Sequence, residues 1–403
     1  MKAPVSLALC VALACHVGSA TAADAGPRWL LDANGCKFLN PYPPGVAAFE
    51  ILWSGQCVDG YVSGEGEVQF PPDVFYRGEF AKGRIVKGSA ESRGEIYEGG
   101  FLDNVPNGRG TSRSPDGSAI TGTYVRGLIE SADVELTWPN RNRYRGEVDT
   151  RTRQMHGKGV MQYADGSVYE GEFNQGSLEG AGVLKRSDGE VRSGTFRGGQ
   201  LDGKGSVLYA NQARYEGEFR AGQRSGQGRL EFASGESYEG GFVADRYQGK
   251  GKMQYGDGSV YDGEFLAGDP SGTGTMTFPD GERYEGQFLY GRRHGNGRVT
   301  YASGETKEGE WKAGALTGKC HLVAGPSSYE GECRNGKPSG AGTLRVGKLA
   351  LRGDFTDGVL VRGTIDSPDG RTFEIDVEKQ QILEVEKDGS KHPIEQLPPE
   401  ITI

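Results

Sequence analysis

"YEGEFRAGQRSGQGRLEFASGES" (residues 215–237) decides the fold, because its residue types return along the chain at a fixed interval. Number its positions 1 to 23 from Tyr215. Copies begin at Tyr169, Arg192, Tyr215, Tyr238, Tyr261, Tyr284 and Lys307, each 23 residues after the last. Less regular copies begin at Trp53, Tyr76, Tyr97, Ile120, Tyr144, Tyr329 and Leu351, about fourteen in all. The constant features are an aromatic residue at positions 1 and 5 and glycine at 3, 8, 12, 14 and 21. A period of this length marks an array of one small structural unit.

Within the unit, positions 1 to 5 alternate aromatic, acid, glycine, acid, aromatic, which is the period-two pattern of a strand with one apolar face. Positions 7–8, such as Ala221-Gly222 and Ala267-Gly268, suit a hairpin turn. Positions 15 to 18 alternate again, with Leu230 and Phe232 on one side. A Ser-Gly or Asp-Gly at 20–21 then turns the chain into the next copy. Each unit is therefore a β-hairpin, and the acids at 2 and 4 point to solvent. If positions 1, 3 and 5 share a face with 14, 16 and 18, the glycines at 3 and 14 make room for rings to lie across the backbone. The fold class expected is all-β: an elongated, curved, single-layer antiparallel sheet of stacked hairpins.

Composition agrees with a thin, repetitive array. The 403 residues include 68 glycines, with 18 tyrosines and 16 phenylalanines, but only 35% are hydrophobic. A single globule of this length would need more core. The start, "MKAPVSLALCVALACHVGSATA", has Lys2, an uncharged apolar run and an A-x-A-like site at Ala20-Thr21-Ala22. It reads as a secretory signal peptide. An uncleaved anchor fits less well because the run is short. Lipidation at Cys15 fits less well because Ala12 stands where a leucine is needed. Losing residues 1–22 removes Lys2 and no acid, taking the formal charge from −9 to −10. Such a chain has no general attraction to nucleic acid or anionic lipid.

The repeats resemble the MORN (membrane occupation and recognition nexus) motif, with its Y-x-G-x-F…G…G-x-G…D-G pattern. "YEGQFLYGRRHGNGRVTYASGE" (284–305) is very similar to its usual form, and the resemblance covers about 53–355. It implies a long curved sheet of hairpins with scaffolding and protein-binding roles. The opening "GCKFLNPYPPG…WSGQCVDGYVSGEGEVQF" is similar to exported MORN-repeat proteins of Gram-negative bacteria, which implies a periplasmic or cell-envelope location. The domain reading is signal peptide 1–22, N-terminal cap 23–52, repeat array 53–364, and C-terminal β cap and tail 365–403. The stretch 76–160 departs most from the pattern: Ser131-Ala132-Asp133 replaces a G-x-G, and "DTRTRQMHG" carries two extra residues.

Four cysteines follow the leader. Cys57 and Cys333 occupy position 5, and Cys320 occupies position 14. By parity Cys320 and Cys333 share the apolar side of adjacent hairpins. A Cys320–Cys333 disulfide is expected and, by elimination, Cys36–Cys57. A metal site is not expected, because C-x-x-C spacing and a histidine cluster are both missing.

No catalytic or cofactor-binding residues are expected. The G-Q-G at 226–228 continues as Arg-Leu-Glu with no helix to follow, so it is not a phosphate loop. The paired acids Glu170/Glu172, Glu216/Glu218 and Asp262/Glu264 recur and read as a solvated ladder, whereas a hydrolase needs one special pair. The expected function is a non-catalytic scaffold or binding protein of the cell envelope. The candidate ligand-facing rings are Tyr169, Phe173, Tyr215, Phe219, Tyr238, Phe242, Tyr261, Phe265, Tyr284 and Phe288. Either the sheet curls and makes them core, or part of the face stays open for a ligand. The expected partner is a protein; a carbohydrate, peptidoglycan or peripheral lipid is the alternative, and nucleic acid is excluded. Oligomeric state is left open.

Overall fold

The computed structural model describes residues 28–41, 50–70, 73–398 and 401. The segment read as a signal peptide lies outside the described residues, as do 42–49 of the expected N-terminal cap. Among the described residues there are 35 strands and no α-helix. The chain divides into two compact units, 1–210 and 211–403. Each consists of successive antiparallel hairpins, so the expected class of stacked hairpins holds within both.

The hairpin of residues 215–237 shows why these residues form this unit. Its strands are Arg214–Arg220 and Gln223–Glu231. Tyr215 pairs with Leu230, Gly217 with Gly228 and Phe219 with Arg224. Between Gly217 and Glu218 the register jumps, so the second strand carries a bulge at Gly226-Gln227. On its other side the same strand pairs without a break to the next hairpin, Gly226 with Phe242 and Leu230 with Tyr238. The rings at positions 1 and 5 therefore stand in rows on one face. The turn residue Ala221 has φ 49°, and every regular copy repeats this left-handed position.

The bulge corrects the reading of the acids. Position 4 does not simply point into solvent. The Thr273 amide donates to Glu264 Oε2 at 3.0 Å, and the Asn296 amide donates to Gln287 Oε1 at 3.1 Å. In the reference hairpin the Glu218 carboxylate lies over Gly226, where a Cβ would be 2.4 Å from its oxygen. Gly226 also has φ 61°, so both backbone and space demand glycine. Position 18 is likewise corrected. Phe232 lies past the strand and opens the turn: its amide donates to Glu236 O and its carbonyl accepts from Gly235.

Turns are tied to one another as well as strands. The position-8 amide of one hairpin donates to the position-10 carbonyl of the hairpin before it. Gly268 does so to Tyr247 at 2.9 Å, Gly291 to Pro270 at 2.8 Å and Gly314 to Arg293 at 3.0 Å. Otherwise orphaned turn amides are satisfied this way, and each unit is held to its neighbour at the turn end.

In the first unit, the strands Trp29–Leu31 and Lys37–Leu39 form a hairpin beside the start of the array. Phe38, fully buried, packs against Phe70, Tyr76 and Phe80. Asn104 takes the position-8 place of glycine. Its side chain donates to Leu39 O at 2.6 Å and accepts from the Ile85 amide at 2.8 Å. In the irregular stretch, Ser131-Ala132-Asp133 breaks the second strand into Leu128–Ile129 and Val134–Thr137. At the other end of the chain, Thr372–Asp376, Gln381–Val385 and Lys391–Pro393 continue the antiparallel pairing.

Candidate functional site

The ring face is built from the position-1 tyrosine outward. Because glycine stands at positions 3 and 14, the phenol of Tyr215 lies flat across the backbone of both strands. A Cβ on Gly217 would be 2.5 Å from its oxygen, and one on Gly228 would be 2.3 Å away. That oxygen donates to the carbonyl of Glu218 at 3.0 Å, beside the bulge. Tyr238, Tyr261, Tyr284 and Tyr329 repeat the bond to the carbonyl three residues on, each at 2.9 Å. Trp53 plays the same part in the first copy, lying across Gly55 and Gly66.

In the regular copies each position-1 tyrosine meets the position-5 rings of its own and the next hairpin edge-to-face. Tyr215 is 5.0 Å from Phe219 and 5.1 Å from Phe242; Tyr238 is 5.1 Å from Phe242 and 5.0 Å from Phe265. The chain of rings continues through Tyr261, Phe288 and Tyr284 to Trp311. In the first unit Tyr144, Phe173, Tyr169 and Phe196 form a shorter chain, which stops where Arg192 replaces tyrosine. Such pairs contribute beyond the area they bury.

These rings are core. Tyr169, Phe173, Tyr215, Phe219, Tyr238, Phe242, Tyr261, Phe265, Tyr284 and Phe288 are all at most 6% exposed. Their faces are turned into one another, so they offer no open stacking platform. Burial pushes the Tyr169, Tyr238, Tyr261 and Tyr284 phenols up to about 12. The reason for the burial was not visible in the rings themselves. Position 10 covers them. Arg224 lies 5.8 Å above Tyr215 and 5.4 Å from Phe242, held by Asp245 at 3.0 Å. Tyr247 stacks on Tyr238 at 3.9 Å. Arg293, paired with Glu282, lies over Tyr284 and Trp311. Long amphipathic side chains thus close the face with their stems and leave polar tips outward.

The cysteines meet as expected. Cys36 is bonded to Cys57 and Cys320 to Cys333, at sequence separations of 21 and 13. Disulfides persist in oxidising compartments. Position 1 of the copy carrying Cys320 is Lys307, so no ring occupies the place above position 14.

The opposite face is polar, and it is a ladder of both signs. Position 2 pairs across strands with position 15. The register runs Glu216, Arg229, Glu239, Lys252 and Asp262, and later Glu285, Arg298, Glu308, His321 and Glu330. Arg229 lies 3.7 Å from Glu239, and Arg298 lies 3.9 Å from Glu308. Exposed pairs of this kind contribute little stability, so the fold leaves these side chains free to vary. A shallow cavity of about 300 Å³ opens among Gln287, His294, Asn296, Glu310, Lys312 and Thr317, with Trp311 in its wall. Among the described residues no group of three or more His, Cys, Asp or Glu could hold a metal. No helix there is long and apolar enough to cross a membrane.

Curated relatives match over a short length. Alsin from Rattus norvegicus is 38% identical over 82 residues, and human Alsin is 37% identical over 82 residues; in both the match covers 19% of this chain and 5% of Alsin. Among solved structures, the TCP10 domain of Danio rerio CPAP aligns over 49% of this chain and 91% of that one, at 13% identity and a TM-score of 0.28. The TCP domain of Drosophila melanogaster SAS-4, in complex with a proline-rich motif of Ana2, covers 39% and 85%, at 13% identity and a TM-score of 0.26. These scores are too low for a structural argument. The MORN repeat model, by contrast, matches ten segments: 97–119, 154–168, 169–191, 193–214, 215–237, 238–260, 261–283, 284–306, 308–323 and 329–345. With the hairpin, its ring pair and its glycines in place in these segments, the chain belongs to the MORN-repeat family.

Proposed function

We propose that this chain is a non-catalytic scaffold of the cell envelope that binds a protein partner with the polar face of its hairpins. One observation carries this reading. The rings at positions 1 and 5 and the glycines at 3 and 14 are spent on the ring face, while the opposite face keeps acids at position 2 of most units and presents side chains that change from unit to unit at positions 6, 9, 13 and 15. A repeat array of this kind displays chemistry on a fixed lattice. The side chains on that face are carboxylates, guanidinium groups and amides, recurring without a single special cluster. Export is supported by the character of residues 1–22 and by the two disulfides. Glycan stacking needs accessible rings, and the ten candidate ligand-facing rings are at most 6% exposed. The net charge of −9 disfavours an anionic bilayer.

The test is a scan with a photo-crosslinking amino acid at outer positions such as 216, 229, 266 and 298 of the full chain in its native host. Covalent adducts with one protein at neighbouring outer positions are expected, together with a mature N-terminus after residue 22. Absence of adducts at every outer position would sink the reading.

A further inference from the structure

Position 6 is polar in most hairpins of the second unit. Arg220 stands there before, and Lys312, Arg334 and Thr356 after, a run of three consecutive hairpins in which it is aliphatic. Val243, Leu266 and Leu289 are 58%, 52% and 41% exposed. They do not serve the core, which lies on the other face. First strands stand two strand spacings apart, about 10 Å, so the three side chains make a ridge about 20 Å long. Arg220 and Lys312 lie one hairpin beyond each end, about 40 Å apart.

Tyr290 adds a second, independent observation. It sits at position 7, where φ is 50°. The other hairpins of this unit place Ala221, Ala244, Ala267, Ala313, Asn335 or Asp357 there. A bulky residue is costly in this left-handed region. Tyr290 is nevertheless 69% exposed and packs no core. The turn gains nothing from its ring, so the ring serves something outside the fold.

The surroundings define what that is. Arg246 pairs with Val243 and Arg292 with Leu289, both exposed, so Arg220, Arg246, Arg292 and Lys312 stand toward the two ends of the ridge, while the acids Asp269, opposite Leu266, and Glu264, two residues before it, stand at its centre and Asp245 is held by Arg224. The ends are basic on a protein of net charge −9. Beside Leu289 opens the cavity of about 300 Å³, lined by Lys312, His294, Asn296 and Thr317 together with one acid, Glu310. A second copy would bring the same cations against these, which is repulsive. A flat anionic bilayer would also meet Glu239, Asp262, Glu264 and Glu285 on the adjoining rows of the same face. A narrow segment meets only the ridge and its ends. Resting on the scaffold reading above, we infer that Val243, Leu266, Leu289 and Tyr290 dock a protein segment with an apolar centre about 20 Å long and acidic residues at both ends. That length corresponds to about 13 helical residues.

The test uses the oxidised full chain and two labelled synthetic peptides. They share one amphipathic leucine-rich centre and differ only in glutamates or lysines at both ends. The glutamate-ended peptide is expected to bind at least tenfold more tightly. Leu266→Glu should weaken it at least tenfold, and Tyr290→Ala severalfold, with the melting temperature of neither variant lowered. Arg220→Glu with Lys312→Glu should reverse the preference between peptides. Equal binding of the two peptides, no binding, or indifference to Leu266→Glu overturns the inference, as does a dimer or vesicle association that Leu266→Glu abolishes. The crosslinking scan separates this from the wider reading. Adducts at 216, 229 and 298 without one at 266 leave the scaffold standing and remove the ridge.

Discussion

The phenol oxygen of Tyr215 occupies the space in which a side chain at Gly228 would begin, 2.3 Å from the ideal Cβ position. The two residues are therefore chosen together. Gly228→Ala should push the ring off its seat between Phe219 and Phe242 and destabilise the hairpin by about 1–3 kcal/mol. In Tyr215→Leu the seat is empty, and the same alanine should cost far less. The coupling between the two should be at least about 1 kcal/mol. Hydrogen exchange at the Phe219 amide reads this locally, and additive effects would sink the idea.

Nature has made the complementary exchange at Lys307. With no tyrosine at that position 1, Cys320 can carry a Cβ at position 14 and bond to Cys333 at position 5. Ring and disulfide compete for one space. Reducing this disulfide should cost about 3 kcal/mol, the scale for a loop of this size. Lys307→Tyr should destabilise the oxidised chain, whereas Lys307→Tyr with Cys320→Gly and Cys333→Phe should restore stability under reducing conditions. Urea unfolding with and without dithiothreitol decides it. A tolerated single Lys307→Tyr in the oxidised chain would show that the exclusion is wrong.

The parity of positions 1, 3, 5 and 14 was enough to place Tyr215 over Gly217 and Gly228, because period-two alternation assigns faces without knowledge of neighbours. It was also enough for Cys320 and Cys333. Alternation says nothing about a bulge on the partner strand, so the role of position 4 was hidden. The readable trace, in the regular copies, was glycine at 12 where Glu or Gln stands at 4. Gly241 breaks that pairing, and the space beside Gly249 is open. The closing of the ring face was hidden for a different reason. Position 10 is Arg224, Tyr247, Pro270 or Arg293, residues with no common type, and only their stems share a task.

Asn104 tests how the first hairpin is secured. It is fully buried, and its amide bridges Leu39 O and the Ile85 amide across the joint between the N-terminal hairpin and the array. Asn104→Gly keeps the φ of 66° affordable but leaves both partners unsatisfied, a loss of about 2–4 kcal/mol. Asn104→Ala should cost more, since alanine resists that φ. Exchange at the Ile85 amide should accelerate, while amides near Tyr261 should not change. Uniform acceleration along the whole chain would contradict a local clasp.

The buried tyrosines set an upper pH limit. Burial, as the main cause, holds the Tyr169, Tyr238, Tyr261 and Tyr284 phenols at about 12 in the folded chain. In the unfolded chain a phenol ionises near about 10. The folded state therefore keeps protons that the unfolded state releases. Stability is unaffected below about pH 10 and is lost as pH rises from about 10 through about 12. Tyrosinate absorbance at 295 nm and far-UV circular dichroism should change together in that window, because the core rings ionise as the hairpins open. Tyr261→Phe removes one ionising group and the bond to Glu264 O at 2.9 Å. It should lower neutral-pH stability by about 1 kcal/mol and soften the alkaline transition. Complete tyrosinate absorbance with the strand signal intact would show that these rings are not sealed.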